Sequence, residues 1–73
     1  MELNLSRNNL FNIDQVSSAL SSLAVLRASQ NYLTQVTLSL PALEQLHVDN
    51  NQIAYFPLLN ALPKLRVLNL NRN

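Results

Sequence analysis

Leu43-Glu-Gln-Leu46-His-Val48-Asp-Asn-Asn51-Gln-Ile53 is the stretch from which the rest of the chain can be read. Around Leu46 and Val48, apolar and polar residues alternate with the period of a strand that buries one face. The alternation ends in a polar run closed by an asparagine, and an apolar residue returns two positions later. The same order recurs at Leu3-Asn-Leu5-Ser-Arg-Asn8-Asn-Leu10, at Leu23-Ala-Val-Leu26-Arg-Ala28-Ser-Gln-Asn31-Tyr-Leu33 and at Leu65-Arg-Val-Leu68-Asn-Leu70-Asn-Arg-Asn73. Asn8, Asn31, Asn51 and Asn73 follow one another in steps of 23, 20 and 22, and Leu3, Leu26, Leu46 and Leu68 keep the same steps. Only Ala28 is small where the pattern wants a large apolar side chain. Two features holding one register through four units define a repeat, and such units bury their leucines by stacking on their neighbours.

Working outward, the composition narrows the choices. At 73 residues there is room for one domain at most, and a compact globule of that size is marginal. With 48% apolar and 12% charged residues the chain is no disordered tail, and a net charge of +1 lacks the basic footprint of a nucleic-acid or anionic-membrane binder. No nucleic-acid and no membrane partner is therefore expected. No apolar run approaches a membrane span. Met1-Glu2-Leu3-Asn4-Leu5 has an acid where an export signal needs bases, so the expected compartment is cytoplasmic, although the absence of cysteine leaves the redox environment open. Seventeen leucines and eleven asparagines stand beside no glycine at all. Turns that ordinarily use glycine at positive φ are expected to use asparagine in its place.

The segments between the asparagines have their own rhythm. After Asn51 the apolar residues fall every third position at Ile53, Phe56, Leu59, Leu62, Leu65 and Leu68; after Asn8 they fall at Leu10, Ile13, Val16, Leu20, Leu23 and Leu26. That spacing suits a 3₁₀ or loosely helical return, with Pro57 opening one such turn and Asp14 capping another. Residues 33–43 are shorter, and Val36, Leu38 and Leu40 alternate, so that return should be strand-like or irregular. Pro41 and Pro63 should end the returns and force extended chain ahead of them. Short strands are expected near residues 3–5, 25–28, 45–48 and 67–70.

All four units fit L-x-x-L-x-L-x-x-N-x-L wherever the chain supplies the residue, and so resemble the leucine-rich repeat family over the whole chain. The third-residue rhythm resembles the subclass of about 22 residues found in a regulator of type-1 protein phosphatase, an axonemal dynein light chain and the internalins. The resemblance implies an α/β solenoid over residues 1–73. In it a right-handed coil carries parallel strands on its concave face, and 3₁₀, short helical or extended returns lie on its convex face. It further implies that Asn8, Asn31, Asn51 and Asn73 form a structural ladder whose amides pair turn groups that no sheet can satisfy. Family members usually carry polar caps. Neither is visible here, so a fragment of a longer array is expected, with self-association through uncapped ends.

Function should then sit on the outward strand positions. Register puts Asn4, Arg27, His47 and Asn69 in one column and Ser6, Ser29, Asp49 and Asn71 in the next. Arg27, Ser29, Tyr32, His47, Asp49, Asn69 and Asn71 are the candidate contacts for a protein partner, since Arg and Tyr are enriched among binding hot spots. The plainer alternative is a solvated polar face, with Arg27 and Asp49 balancing charge across strands. Phe11, Tyr55 and Phe56 invite an aromatic patch, although Phe56 keeps the core spacing.

Catalysis is not expected. Ser29, His47 and Asp49 share a face, but Asp49 should lie opposite Ser29 with His47 diagonal, and no oxyanion donor set is visible. One histidine and one aspartate fall short of a metal site, and no glycine loop exists to hold a cofactor phosphate. The expected role is therefore a scaffolding or regulatory interaction module. A surface adhesin of internalin type and an accessory block of a larger enzyme are the alternatives.

Overall fold

The computed structural model of the chain describes residues 1–13, 20–36, 39–54 and 62–73. Four three-residue strands, β1 (Glu2–Asn4), β2 (Val25–Arg27), β3 (Gln45–His47) and β4 (Val67–Asn69), form one parallel sheet in the order β1-β2-β3-β4. Leu3, Leu26, Leu46 and Leu68 occupy a single register across it. This is a repeat architecture, each unit adding one strand beside the last.

β1 begins one residue before the expected 3–5. Because Leu3 pairs with Leu26, Glu2 takes the place that Val25 holds in its own strand. The other strands start where expected and end one residue early, yet ladder bonds continue past them. Leu5 N–H donates to Arg27 O at 2.6 Å, Ala28 N–H to His47 O at 2.8 Å and Val48 N–H to Asn69 O at 3.0 Å.

A tight turn precedes each of the last three strands. Leu23 N–H donates to Leu20 O, Leu43 N–H to Leu40 O and Leu65 N–H to Leu62 O, at 3.1, 3.2 and 3.2 Å. Pro41 and Pro63 hold the second position of their turns, where a fixed φ near −65° is already the required value. They therefore shape the corner that leads into each strand. Ser21 fills the same place in the first turn.

Leu26, Leu46, Leu23, Leu43, Ala28 and Val48 are fully buried, joined by Leu33, Val36, Leu40, Ile13, Ile53 and Leu62. Leu3, Leu5, Leu68 and Leu70 are only half-covered, because the end strands have a neighbour on one side alone. The core thus belongs to the two middle units. Each fully buried leucine contributes about 1.5–3 kcal/mol, so these units carry most of the burial energy.

No helix occurs among the described residues, hence none long and apolar enough to cross a membrane. The features expected at Asp14, Val16, Leu38, Tyr55, Phe56, Pro57 and Leu59 lie outside the described residues. In the short middle return, Gln35 forms an isolated bridge and Val36 is buried.

The outer sheet face as candidate binding site

Two sets of bonds hold the turns that follow the strands, and they fix the geometry of the outer face. The first comes from the recurring asparagines. Asn31 Nδ2 donates to Leu5 O, Ala28 O and Ser29 O at 3.1, 3.0 and 3.3 Å, while its Oδ1 accepts from Asn8 N and Leu10 N at 2.9 and 3.0 Å. Asn51 repeats the arrangement one unit on, donating to Ala28 O, Val48 O and Asp49 O and accepting from Asn31 N and Leu33 N. Asn73 Nδ2 donates to Val48 O, Leu70 O and Asn71 O, and its Oδ1 accepts from Ile53 N. Asn8 donates only within its own unit, to Leu5 O and Ser6 O. Each amide from Asn31 onward therefore ties its turn to the preceding unit. Asn31 and Asn51 are buried, at 5% and 8% exposure, and no buried side-chain polar atom among the described residues is left unpaired.

The second set is conformational. Arg7, Gln30, Asn50 and Arg72, the residues immediately before the four asparagines, have φ of 62°, 57°, 57° and 59°, and Asn9 has 57°. The left-handed positions among the described residues of this glycine-free chain are thus filled by asparagine at Asn9 and Asn50, as expected, and by arginine and glutamine at Arg7, Gln30 and Arg72. The ladder asparagines are not themselves left-handed. Their amides are needed for the turn carbonyls, and the reversal falls on the residue before. Neighbour bonds from Arg7 N to Ser29 O, Gln30 N to Asp49 O and Asn50 N to Asn71 O hold these residues there. The only signal in the sequence is position, one residue ahead of each asparagine.

Strand register stacks Asn4, Arg27, His47 and Asn69 in one outward column. Arg27 Nε donates to Glu2 Oε2 at 2.6 Å, so its charge is balanced within the sheet by Glu2 and not by Asp49. His47 Nε2 lies 3.2 Å from Gln45 Oε1. Asn4 Oδ1 and Asn69 Oδ1 accept from the backbone N–H two residues on, at Ser6 and Asn71, closing the same small turn in both end units.

In the adjacent column Ser6 Oγ accepts from Ser29 N at 3.1 Å, and Ser29 Oγ donates to Asp49 Oδ1. Asn50 Nδ2 donates to Asp49 Oδ2 at 2.9 Å. The Ser29 bond, outweighing partial desolvation, holds the Asp49 carboxyl below the ordinary aspartate range, with Asn50, its own backbone and nearby His47 acting in the same direction. Asp49 is therefore a carboxylate at neutral pH. His47 bonds neither Ser29 nor Asp49, so the three do not form a proton-transfer chain. Among the described residues no three His, Cys, Asp or Glu converge on a possible metal position.

Tyr32 stands apart from these columns. Its N–H donates to Leu10 O at 2.7 Å, and its ring stacks on Phe11 with centroids 5.6 Å apart and planes at 23°. The two rings are 43% and 73% exposed. Phe11 and Tyr32 thus make an aromatic pair beyond the asparagine turns, away from Arg27 and His47.

The family model described as leucine rich repeats, in two copies, matches residues 41–73. Over those residues the chain is similar to leucine-rich repeats. Such repeats generally mediate protein–protein interaction and are typically non-enzymatic modules. No curated protein and no solved structure matches the chain significantly. In the leucine-rich repeat pair of residues 41–73, Leu46 and Leu68 are the paired strand leucines, and Asn51 and Asn73 are the recurring amides.

Proposed function

We propose that this leucine-rich repeat chain is a scaffolding or regulatory module that binds a protein partner through the outer face of its parallel sheet. In this reading residues 1–73 wind as a single right-handed solenoid, the hand taken by nearly all parallel crossovers. The sheet is its concave side, and 3₁₀ or extended returns form its convex side. Arg27, Ser29, His47, Asp49, Asn69 and Asn71 are the contacting residues, with Tyr32 at the margin.

One observation carries the reading. The inward side of every strand is spent on leucine, whereas the outward side holds two registered columns of unlike polar side chains. A face required only for solubility needs no such variety. Extended surfaces of this kind are what repeat proteins present to their partners.

The test uses the intact chain as bait and any captured protein as a purified ligand. Arg27→Ala, His47→Ala and Asp49→Ala together are expected to weaken its Kd by more than about tenfold, within the range for hot-spot truncations. Thr34→Ala with Gln52→Ala, both exposed and off the columns, should leave it unchanged. Unchanged affinity in the triple variant, with its circular dichroism intact, removes the outer face as the binding site.

A further inference from the structure

The outer face contains a shallow groove of about 560 Å³ lined by Asn4, Ser6, Arg7, Ser29, Gln30 and Asp49. Its polar atoms are unequally occupied. Ser6, Ser29 and Asp49 are bonded to one another or to backbone. Arg7 spends only its Nε, on the neutral Gln30 Oε1, and the two nitrogens at the tip of its guanidinium have no partner among the described residues. Both ion pairs among the described residues, Glu2 with Arg27 and Glu44 with Arg66, lie outside the groove. The groove therefore keeps one cation and one carboxylate, neither neutralised by the other.

Arg7 belongs to the β1 unit and Asp49 to the β3 unit. Their backbones stand two strand spacings apart, about 10 Å, and both side chains lean over the β2 unit between them, Arg7 onto Gln30 and Asp49 onto Ser29. Asp49 accepts from Ser29 and Asn50, but an ionised carboxylate has capacity for about four bonds. Arg72, on the β4 side, makes no ion pair with it among the described residues. Between the two charges lie the neutral Ser29 and Gln30.

We infer that this groove selects a dipolar protein segment, one acidic side chain seated on Arg7 and one basic side chain on Asp49, the two held apart by Ser29 and Gln30. This rests on the outer-face reading above and names its partner's chemistry. The guanidinium tip offers two parallel N–H groups, the fork that a carboxylate fills bidentately. Asp49 takes an ammonium or guanidinium from above the sheet. A purely acidic segment meets repulsion at Asp49, and a purely basic one meets it at Arg7. The polarity of the charges, and not their sum, is what the groove reads.

The probe is a library of random peptides displayed on phage and panned on the intact chain. Retained clones are expected to carry both an acidic and a basic residue. Their retention should fall about tenfold on Arg7→Gln and again on Asp49→Asn, as is usual when one partner of a close charge pair is neutralised. Both substitutions are on the surface, and Asp49→Asn keeps an oxygen for Ser29. Clones lost on Arg27→Ala with His47→Ala, yet indifferent to Arg7→Gln and Asp49→Asn, overturn the dipolar groove and leave the outer-face reading standing. Clones indifferent to all four substitutions, or no retained clone at all, overturn both.

Discussion

At the scale of single residues, the asparagines and the residues before them divide one task. Asn31 makes five hydrogen bonds from a buried position, joining three carbonyls and two N–H groups that no strand pairs. Asn31→Ala leaves the N–H groups of Asn8 and Leu10 without their partner, at about 1–3 kcal/mol each, and takes one of two donors from each of the three carbonyls. We expect it to lower unfolding free energy by about 3 kcal/mol or more, read as the urea midpoint by circular dichroism. Asn8→Ala, which removes bonds within one exposed turn, should cost about 1 kcal/mol. Equal losses at the two sites would show that bridging to the preceding unit adds nothing. Gln30 bears the opposite kind of burden, since a left-handed glutamine costs roughly 1–2 kcal/mol that asparagine largely avoids. Gln30→Asn is expected to raise the urea midpoint and Gln30→Val to lower it. A fall with asparagine would mean that the Arg7 contact outweighs the backbone term.

At the scale of elements, a three-residue strand has too few ladder bonds to stand alone, so each depends on the side chain at its centre. Leu46 is enclosed by β2 on one side and β4 on the other, whereas Leu68 has β3 alone. Leu46→Ala should cost about 2–5 kcal/mol, the usual range for a leucine whose site cannot collapse. Leu68→Ala should cost clearly less, because water already reaches it. Denaturant melts of both variants check the order, and a larger loss at Leu68 would place the core elsewhere. The corners before the strands follow the same economy of parts. Pro41 and Pro63 preset the turn geometry that Ser21 must adopt without a ring.

For the whole molecule, stability is a sum over unit and interface terms, and the end units each lack one interface. Protection against amide exchange should therefore be greatest at Ala28, whose N–H bonds to His47 O across the middle of the sheet, between β2 and β3. It should fall toward Leu5 and Asn50, which border less covered turns. Uniform protection from β1 to β4 would indicate all-or-none opening instead. The outer face is set by the same stacking, since its columns exist only while the register holds.

Fold and site were legible in the sequence to different depths. The repeat, the pairing of Leu3, Leu26, Leu46 and Leu68, and the two outward columns follow from residue spacing. Spacing along a strand of period two fixes which side a residue faces, and equal steps between units fix which residues align. Three things were not legible. The ion pair of Arg27 with Glu2, the left-handed turn at Arg7, Gln30, Asn50 and Arg72, and the stacking of Phe11 on Tyr32 each depend on side chains more than twenty residues away or on backbone held by a neighbouring unit. Glycine-free reversals were expected at asparagine, and Asn9 and Asn50 take them, but the ladder amides are committed to turn groups, so Arg7, Gln30 and Arg72 take the others. The sequence by itself thus determined the order and register of the units. Only the tertiary structure decided which polar groups satisfy one another across them, because those bonds form between turns that are neighbours in space and strangers in sequence.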